Sequence, residues 1–321
     1  MKINLALIGA FFLASMGCAA LAQSSAYKGP IIDVHVHVEN GQAQDFIQTM
    51  DKEKVEFAVS MAFPADRVKL TSSNKKLLSL CDAEFIRPLA NGDNATALAW
   101  AKRHIGKDCI GFGEVGVRHY NKTAKRDGGK DQPTYVAPFQ SDAMDVFLSH
   151  ANNQAKPVVF HIEPFYDVKK INSLTEVKRF YVEICQKFPK IKIIAAHNGM
   201  MPASDLEDLF KKCFNLFSDF KFLTSRNSFA GFRDLHTFHK APRKMREEKD
   251  PIKSDWRALI QKYEDRFLFG SDIKTNETYN ARLSDYSLHI AEVRGLVAAF
   301  EPRIQQKIMY SNAKAVFNLA K

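Results

Sequence analysis

Short β-rich runs alternate with longer amphipathic segments along this 321-residue chain, and this alternation limits its possible folds more than any other feature. The pattern is typical of parallel strands joined by helical crossovers. Eight runs occur, at 31–38, 55–63, 86–92, 109–117, 157–164, 191–199, 215–223 and 266–272. Helix candidates lie near 42–53, 73–84, 93–106, 139–154, 174–188, 203–214, 252–263 and 284–299.

Eight strand and helix pairs predict an α/β fold of the TIM-type (β/α)8 barrel, in one domain over residues 23–321. Near-continuous apolar strands suit a parallel sheet that is covered on both faces. Two connections are long, at 118–138 and 224–251. Both follow the C-terminal ends of strands, where barrel enzymes build their sites, so we expect lids or substrate loops there.

Residues 1–22 have the layout of a secretory signal peptide, with Lys2, an apolar run and small residues at Ala20 and Ala22. We expect cleavage near Ala22, a periplasmic or secreted protein, and no stable membrane insertion afterwards. An uncleaved anchor and lipidation at Cys18 are the alternatives.

The chain is basic, with a formal net charge of +10, and removal of the leader's single charge on Lys2 would leave +9. This balance suits a small anionic substrate. The densest basic stretch, 240–249, contains two glutamates and is typical of a solvated face, so no nucleic-acid partner is expected.

Four cysteines lie beyond the leader, and their wide spacing indicates neither a zinc cage nor a disulfide scaffold. Buried free thiols are the expectation, with one long-range bridge left open. The four are Cys81, Cys109, Cys185 and Cys213.

Polar side chains end five of the eight predicted strands. Residues two apart on a strand face the same side, so His35 and His37 can point inward together. Since parallel strands finish at one mouth of a barrel, four imidazoles and two carboxylates should converge there. That donor set suits zinc or a similar divalent ion. The six candidate ligands are His35, His37, Glu114, His161, His197 and Asp272.

A single histidine at a strand end is more often a hydrogen-bonded rim residue than a ligand. The six together favour a metal. In the motifs DVHVH, FGEVG, FHIE, AHNG and FGSD, and in the closing segment IMYSNAKAVFNL, the chain resembles the metal-dependent amidohydrolase superfamily, within the branch called amidohydrolase family 2. The resemblance implies a hydrolase in which Asp272 takes a proton from metal-activated water and passes it to the leaving group.

Glu114 departs from the single-metal members of that branch. FGEVG resembles a motif of TatD-like nucleases, and in those enzymes the glutamate of the motif bridges two metals. Without such a carboxylate, two cations about 3.5–4 Å apart would repel each other. The sequence therefore predicts one or two divalent ions, with zinc expected. The alternative is that Glu114 pairs with Arg118 or caps a turn.

The substrate could be a lactone, ester, amide or phosphoester. Four residues beyond the fourth and seventh strands could clamp its anionic group, or could simply be solvated; they are Arg118, His119, Arg226 and Arg233. Two other functions stay open. One is a single-metal decarboxylase of the family 2 type, and the other is an exported binding protein on a barrel without activity.

Overall fold

The computed structural model describes residues 26–38, 40–61, 76–103, 110–119, 135–166, 171–220, 252–275 and 283–319. Several predictions fall outside these ranges. They concern the leader at 1–22 with Cys18, Cys109, most of both long connections, and Arg226 and Arg233. Within the described ranges, no helix is long and apolar enough to cross a membrane.

The strands are β1 (Ile31–His37), β2 (Val55–Ser60), β3 (Leu77–Ser79), β4 (Phe112–His119), β5 (Tyr135–Val136), β6 (Val158–Ile162), β7 (Phe165–Tyr166), β8 (Ile171–Asn172), β9 (Ile193–Ala195), β10 (Leu216–Phe220), β11 (Phe267–Phe269) and β12 (Ile273–Lys274). The α-helices are α1 (Ala43–Glu53), α2 (Ile86–Ala90), α3 (Asn94–Arg103), α4 (Asp142–Asn153), α5 (Leu174–Lys187), α6 (Ala203–Lys212), α7 (Ser254–Lys262), α8 (Leu283–Val297), α9 (Pro302–Gln306) and α10 (Asn312–Val316). Turns of 3-10 helix occupy Asn40–Gln42 and Ala196–Met200, and a π-helical turn occupies Lys307–Ser311.

The strands form a closed ring. One hydrogen-bonded sheet has the order β12-β1-β2-β3, and the other has the order β11-β10-β9-β6-β4-β5. A parallel bridge between Cys81 and Phe112 joins the continuation of β3 to β4. At the other seam, β11 and β12 belong to one short stretch of chain, 267–274, in which β11 pairs with β10 and β12 pairs with β1. The eight-stranded barrel predicted from the sequence is therefore confirmed.

Two apolar layers hold this ring. The larger lies between the strands and the helices and contains Phe46, Phe147, Phe180, Trp256 and Tyr286. The smaller lies inside the barrel and includes Ile32, Val34, Val159, Ile194 and Leu268. Val316 and Phe317 join the inner layer, and Asn312 Nδ2 donates to the Phe267 carbonyl at 2.9 Å. The C-terminal helix thus closes the N-terminal end of the barrel, which leaves the opposite mouth for a site.

The third strand is not where the sequence predicted it. Residues 86–92, predicted as a strand, begin with helix α2, and the helix candidate at 73–84 contains β3. Leu77 and Ser79 pair in parallel with Ala58 and Ser60 of β2. This pairing overrides the local pattern, because strand preference depends mainly on what a segment packs against.

The expectation of free thiols was wrong for three cysteines. Cys185 of α5 and Cys213, directly after α6, form a disulfide across 28 residues. Cys81 is also disulfide-bonded. Consecutive helices of a barrel lie side by side, so residues far apart in sequence meet in a way that cysteine spacing does not indicate.

Candidate metal centre

A bulge in β1 aims the two first-strand histidines at the barrel mouth. The pairing of β1 with β2 shifts register between Asp33 and Val36, so that an extra residue lies on β1. Val34 therefore joins the inner layer, while Val36 packs in the outer one and leaves His35 and His37 facing inward. Bulges re-aim side chains in this way.

Glu114 lies at the middle of the site. Its Oε1 is 2.7 Å from His161 Nδ1 and 3.6 Å from the Nε2 atoms of both His35 and His197. Its Oε2 is 3.9 Å from His37 Nε2. One carboxylate thus reaches four histidines from three strands or strand ends, which is the geometry of a group shared between ions.

Asp272 approaches the same histidines from the end of the FGSD segment. Its Oδ1 is 2.9 Å from His37 Nε2 and 3.6 Å from His35 Nε2. Its Oδ2 is 3.8 Å from His197 Nε2. The structure therefore brings together all six side chains that the sequence proposed as ligands.

The donor atoms fit a divalent cation. His35 Nε2 is buried and has no hydrogen-bond partner among the described residues, yet carboxylate oxygens of Glu114 and Asp272 both face it at 3.6 Å. An ion between these atoms would satisfy the nitrogen and both carboxylates. Two triads each have donor atoms within 4.8 Å of one another, namely His35, His37, Asp272 and Glu114, His161, His197.

Two buried carboxylates that the sequence reasoning missed hold these rings from behind. Asp219 of β10 has Oδ2 at 2.7 Å from His35 Nδ1 and accepts a hydrogen bond from the His197 backbone N–H. Glu163 has Oε1 at 3.0 Å from His161 Nε2. An acidic residue inside an apolar strand run, as in FSDF and FHIE, was the available signal. Such partners fix ring orientation and raise ligand basicity.

Asp219→Asn should weaken metal binding about 10- to 100-fold, because an amide holds the His35 ring less firmly than a carboxylate does. Competition with a chelator of known affinity would measure the change. Asp205→Asn on helix α6 is the matched control. Equal metal affinity in the Asp219 variant and the wild type would contradict this orienting role.

Without an ion, the neighbouring carboxylates favour the protonated forms of His35 and His161. Burial lowers the pKa of His35, but Glu114 and Asp219 outweigh it and leave the pKa well above the usual value. The same balance, with Glu114 and Glu163, raises the pKa of His161 to about 9. Burial lowers the pKa of His37 to about 4. Metal binding must displace the protons on His35 and His161, so affinity should rise with pH.

The backbone is held in unusual conformations at the site. His197, Asn198 and Asp272 have φ of 58°, 58° and 51°, in the left-handed region that non-glycine residues rarely adopt. Such conformations persist when surrounding contacts impose them, and they cluster at functional sites. Here the His197 N–H bonds Asp219, and the Asp272 N–H donates to the His35 carbonyl at 2.8 Å.

Asp33 ties the first strand to the FGSD segment. Its Oδ1 accepts from the backbone N–H groups of His35 at 3.1 Å and Ser271 at 3.0 Å. Tyr286 donates to its Oδ2 at 3.1 Å. Burial raises the pKa of Asp33 to about 6. The aspartate of DVHVH therefore positions the strand that carries the histidines.

Gly270 is required by close packing behind the site. A Cβ there would lie 2.9 Å from the His35 Cβ and 3.1 Å from the Asp219 Cβ. Gly270→Ala should therefore destabilise the fold by about 1–3 kcal/mol and displace the His35 ring. Urea unfolding would measure the loss. In helix α8, Gly295 has open space at its Cβ position, so Gly295→Ala is a control that should stabilise by up to about 1 kcal/mol.

Arg118 and His119 occupy different environments. Arg118 donates to Glu176 at 2.7 Å and lies over the Phe139 ring at 4.2 Å, so its partner is Glu176 and not Glu114. The ring of His119 lies 5.4 Å from that of His161. Their role in substrate binding stays a prediction.

No protein-family model and no curated protein matches the chain. Solved structures do. The dihydroorotase of Campylobacter jejuni is 17% identical, with 93% of this chain and 86% of that chain covered and a TM-score of 0.55. The chain shares the fold of that enzyme.

Two further barrels of this fold match with a TM-score of 0.50 each, over 91% of this chain and 100% of the other. One is an amidohydrolase from Burkholderia multivorans, 10% identical, and the other is a 2,6-dihydroxybenzoate decarboxylase, 11% identical. The fold implied by the motif resemblance is thus confirmed. The shared fold occurs in enzymes with different reactions, so function must be argued from the site.

Proposed function

We propose that this chain is an exported metal-dependent hydrolase of the amidohydrolase superfamily, within the family 2 branch, acting on a small anionic substrate. The observation that carries the proposal is the position of Glu114, whose Oε1 lies within 3.6 Å of imidazole nitrogens of His35, His161 and His197. A central carboxylate of this kind favours two divalent ions over one.

The side chains divide naturally into two ligand sets. His35 and His37, with Asp272, would hold one ion, and His161 and His197 would hold the other. Glu114 would lie between them. Zinc is the expected metal for nitrogen and oxygen donors of this type. When bound, such an ion supplies Lewis-acid polarisation of the scissile group and lowers the pKa of water from 15.7 to about 7.

Asp272 is the proposed general base and acid. It would accept a proton from the attacking water and deliver it to the leaving group, so the proton removed from water ends on the product. Its Oδ1 lies 2.9 Å from His37 Nε2, which holds the carboxylate at the mouth of the barrel. Asp219 and Glu163 would keep the His35 and His161 rings in place during turnover.

The basic balance of the chain favours an anionic substrate such as a lactone, ester, amide or phosphoester bearing a carboxylate or phosphate. His119, Arg226 and Arg233 are the proposed contacts for that anion. Arg118 could join them only by leaving Glu176 or by sharing its guanidinium with it.

Export is supported by the leader pattern and by the Cys185–Cys213 disulfide, since disulfides persist mainly in oxidising compartments. A periplasmic or secreted location agrees with both features. Comparing the N-terminus of the mature protein with Ala22 would test it.

A decarboxylase is the second candidate. The 2,6-dihydroxybenzoate decarboxylase, which has the same fold at a TM-score of 0.50, supports it. The proposed hydrolase would hold two ions with Glu114 between them. The decarboxylase would hold one ion and would not need Glu114 as a ligand.

The test combines metal analysis with a substrate panel. Lactones, esters, amides, phosphoesters and hydroxybenzoates would be assayed before and after chelation and after reloading with zinc. We expect hydrolysis that chelation abolishes and reloading restores. Carbon dioxide release with one ion per chain would support the decarboxylase instead, and activity that survives chelation would contradict both.

A further inference from the structure

A second cluster of potential ligands lies on the outer side of His161, away from Glu114. Glu163, just after β6, faces Nε2 of the His161 ring, and the ring of His119, the last residue of β4, has its centroid 5.4 Å from that of His161. Glu163 Oε1 is 3.0 Å from His161 Nε2. The three side chains each offer one donor atom, and these atoms lie within 4.8 Å of one another.

We propose that His119, His161 Nε2 and Glu163 form an accessory site for a divalent ion of the zinc class. Two imidazoles and one carboxylate are a recognised zinc donor set, with bonds of about 2.0–2.2 Å. Donors around such an ion lie roughly 3–3.5 Å apart, which the His161 and Glu163 atoms nearly satisfy. The His119 donor atom lies within 4.8 Å of the other two and would have to move closer to complete the set.

Burial and charge support a cation at this position. The Glu163 side chain is fully buried, at 0% exposure, and the His161 side chain is 12% exposed. Carboxylates thus face both nitrogens of His161, Glu114 from the inner side and Glu163 from the outer side. A buried carboxylate is costly unless it is paired, and one bound cation would satisfy Glu163 and His161 Nε2 together. His119 is only partly buried, which leaves a route from solvent.

The accessory site would regulate the inner centre, and this step rests on the proposed function. Both sites use the same imidazole, one through Nδ1 and the other through Nε2. For Nε2 to bind an ion while Nδ1 serves the inner centre, the Nε2 proton must leave to solvent. The ion would then replace the hydrogen bond to Glu163, 3.0 Å away, that orients the ring, and would add positive charge beside the inner centre. Excess zinc should therefore inhibit the enzyme through His161.

Metal binding tests the site independently of any activity. The metal-free protein would be dialysed against graded zinc concentrations, and bound zinc would be counted by elemental analysis. We expect His119→Ala to bind one zinc fewer than the wild type at saturation, with the tighter ions retained. His150→Ala, a partly exposed histidine on α4, is the control and should bind the wild-type number. Equal zinc counts in the wild type and the His119 variant would overturn the proposal.

Inhibition by excess zinc tests the regulatory step, with each variant normalised to its own rate at stoichiometric zinc. We expect the inhibitory zinc concentration to rise at least tenfold in both His119→Ala and Glu163→Gln. If Glu163→Gln weakens the inner ions while His119→Ala changes neither zinc count nor inhibition, Glu163 only orients His161 and the accessory site is refuted. A protein with no activity on any substrate of the panel would contradict the proposed function. The number of zinc ions bound would still test the accessory site.

Discussion

Asp272→Asn should lower kcat/KM about 10²- to 10⁴-fold, the range that a positioned general base and acid contributes. The amide has nearly the same shape as the carboxylate, but it cannot accept the proton of the attacking water. It can still lie near His37 Nε2, now 2.9 Å from the Asp272 carboxylate, so the fold should be retained. Steady-state kinetics at saturating zinc would give the change.

Two controls separate proton transfer from ligand loss. Zinc content measured on the same sample shows whether the Asp272 variant still holds its ions. Asp145→Asn, an exposed aspartate on helix α4, should leave the rate unchanged. A variant with full zinc content that keeps more than a tenth of the wild-type rate would remove Asp272 from the proposed proton-transfer role.

Glu114→Gln is the second large effect, because it removes the negative charge shared by the histidines of the site. Two cations about 3.5–4 Å apart would then repel each other without a bridging carboxylate. We expect zinc content to fall from two ions to one per chain and kcat/KM to fall at least about 10²-fold, a loss of roughly 2.7 kcal/mol in transition-state stabilisation. Elemental analysis and kinetics measure the two losses.

The result also separates the two candidate reactions. Glu183→Gln, a partly exposed residue of helix α5, serves as the matched control for removing a carboxylate. One ion in the wild type, one ion in the Glu114 variant and an unchanged rate would identify a single-metal centre and favour the decarboxylase. Thermal unfolding of the metal-free proteins would show whether the substitution also changes the stability of the fold.

Much of the barrel and its mouth follows from local patterns in the chain. Apolar runs at strand length marked seven of the eight barrel strands, and polar residues at their ends marked the six side chains that meet in the structure. The third strand was not predicted at its true position. It spans only Leu77–Ser79, and it forms a strand because it pairs with Val59 and its neighbours in β2. A run that short carries little periodicity of its own.

The carboxylates that hydrogen-bond the histidine rings could not be predicted from local sequence patterns. Asp219 and Glu163 are single acidic residues in apolar runs, and nothing local says which distant ring each one meets. The Cys185–Cys213 disulfide could not be predicted either, since Cys185 lies in helix α5 and Cys213 lies directly after the neighbouring helix α6.

By itself, the sequence determined the repeat of strand and helix and the chemical types of the residues at the strand ends, since both depend on neighbours along the chain. Only the tertiary structure decided that Glu114 faces four histidines and not Arg118, that a bulge at Val34 and His35 turns the first pair inward, and that Asp219 and Glu163 lie behind the rings. These features depend on register and closure of the sheet, which are set by contacts between residues far apart in the chain.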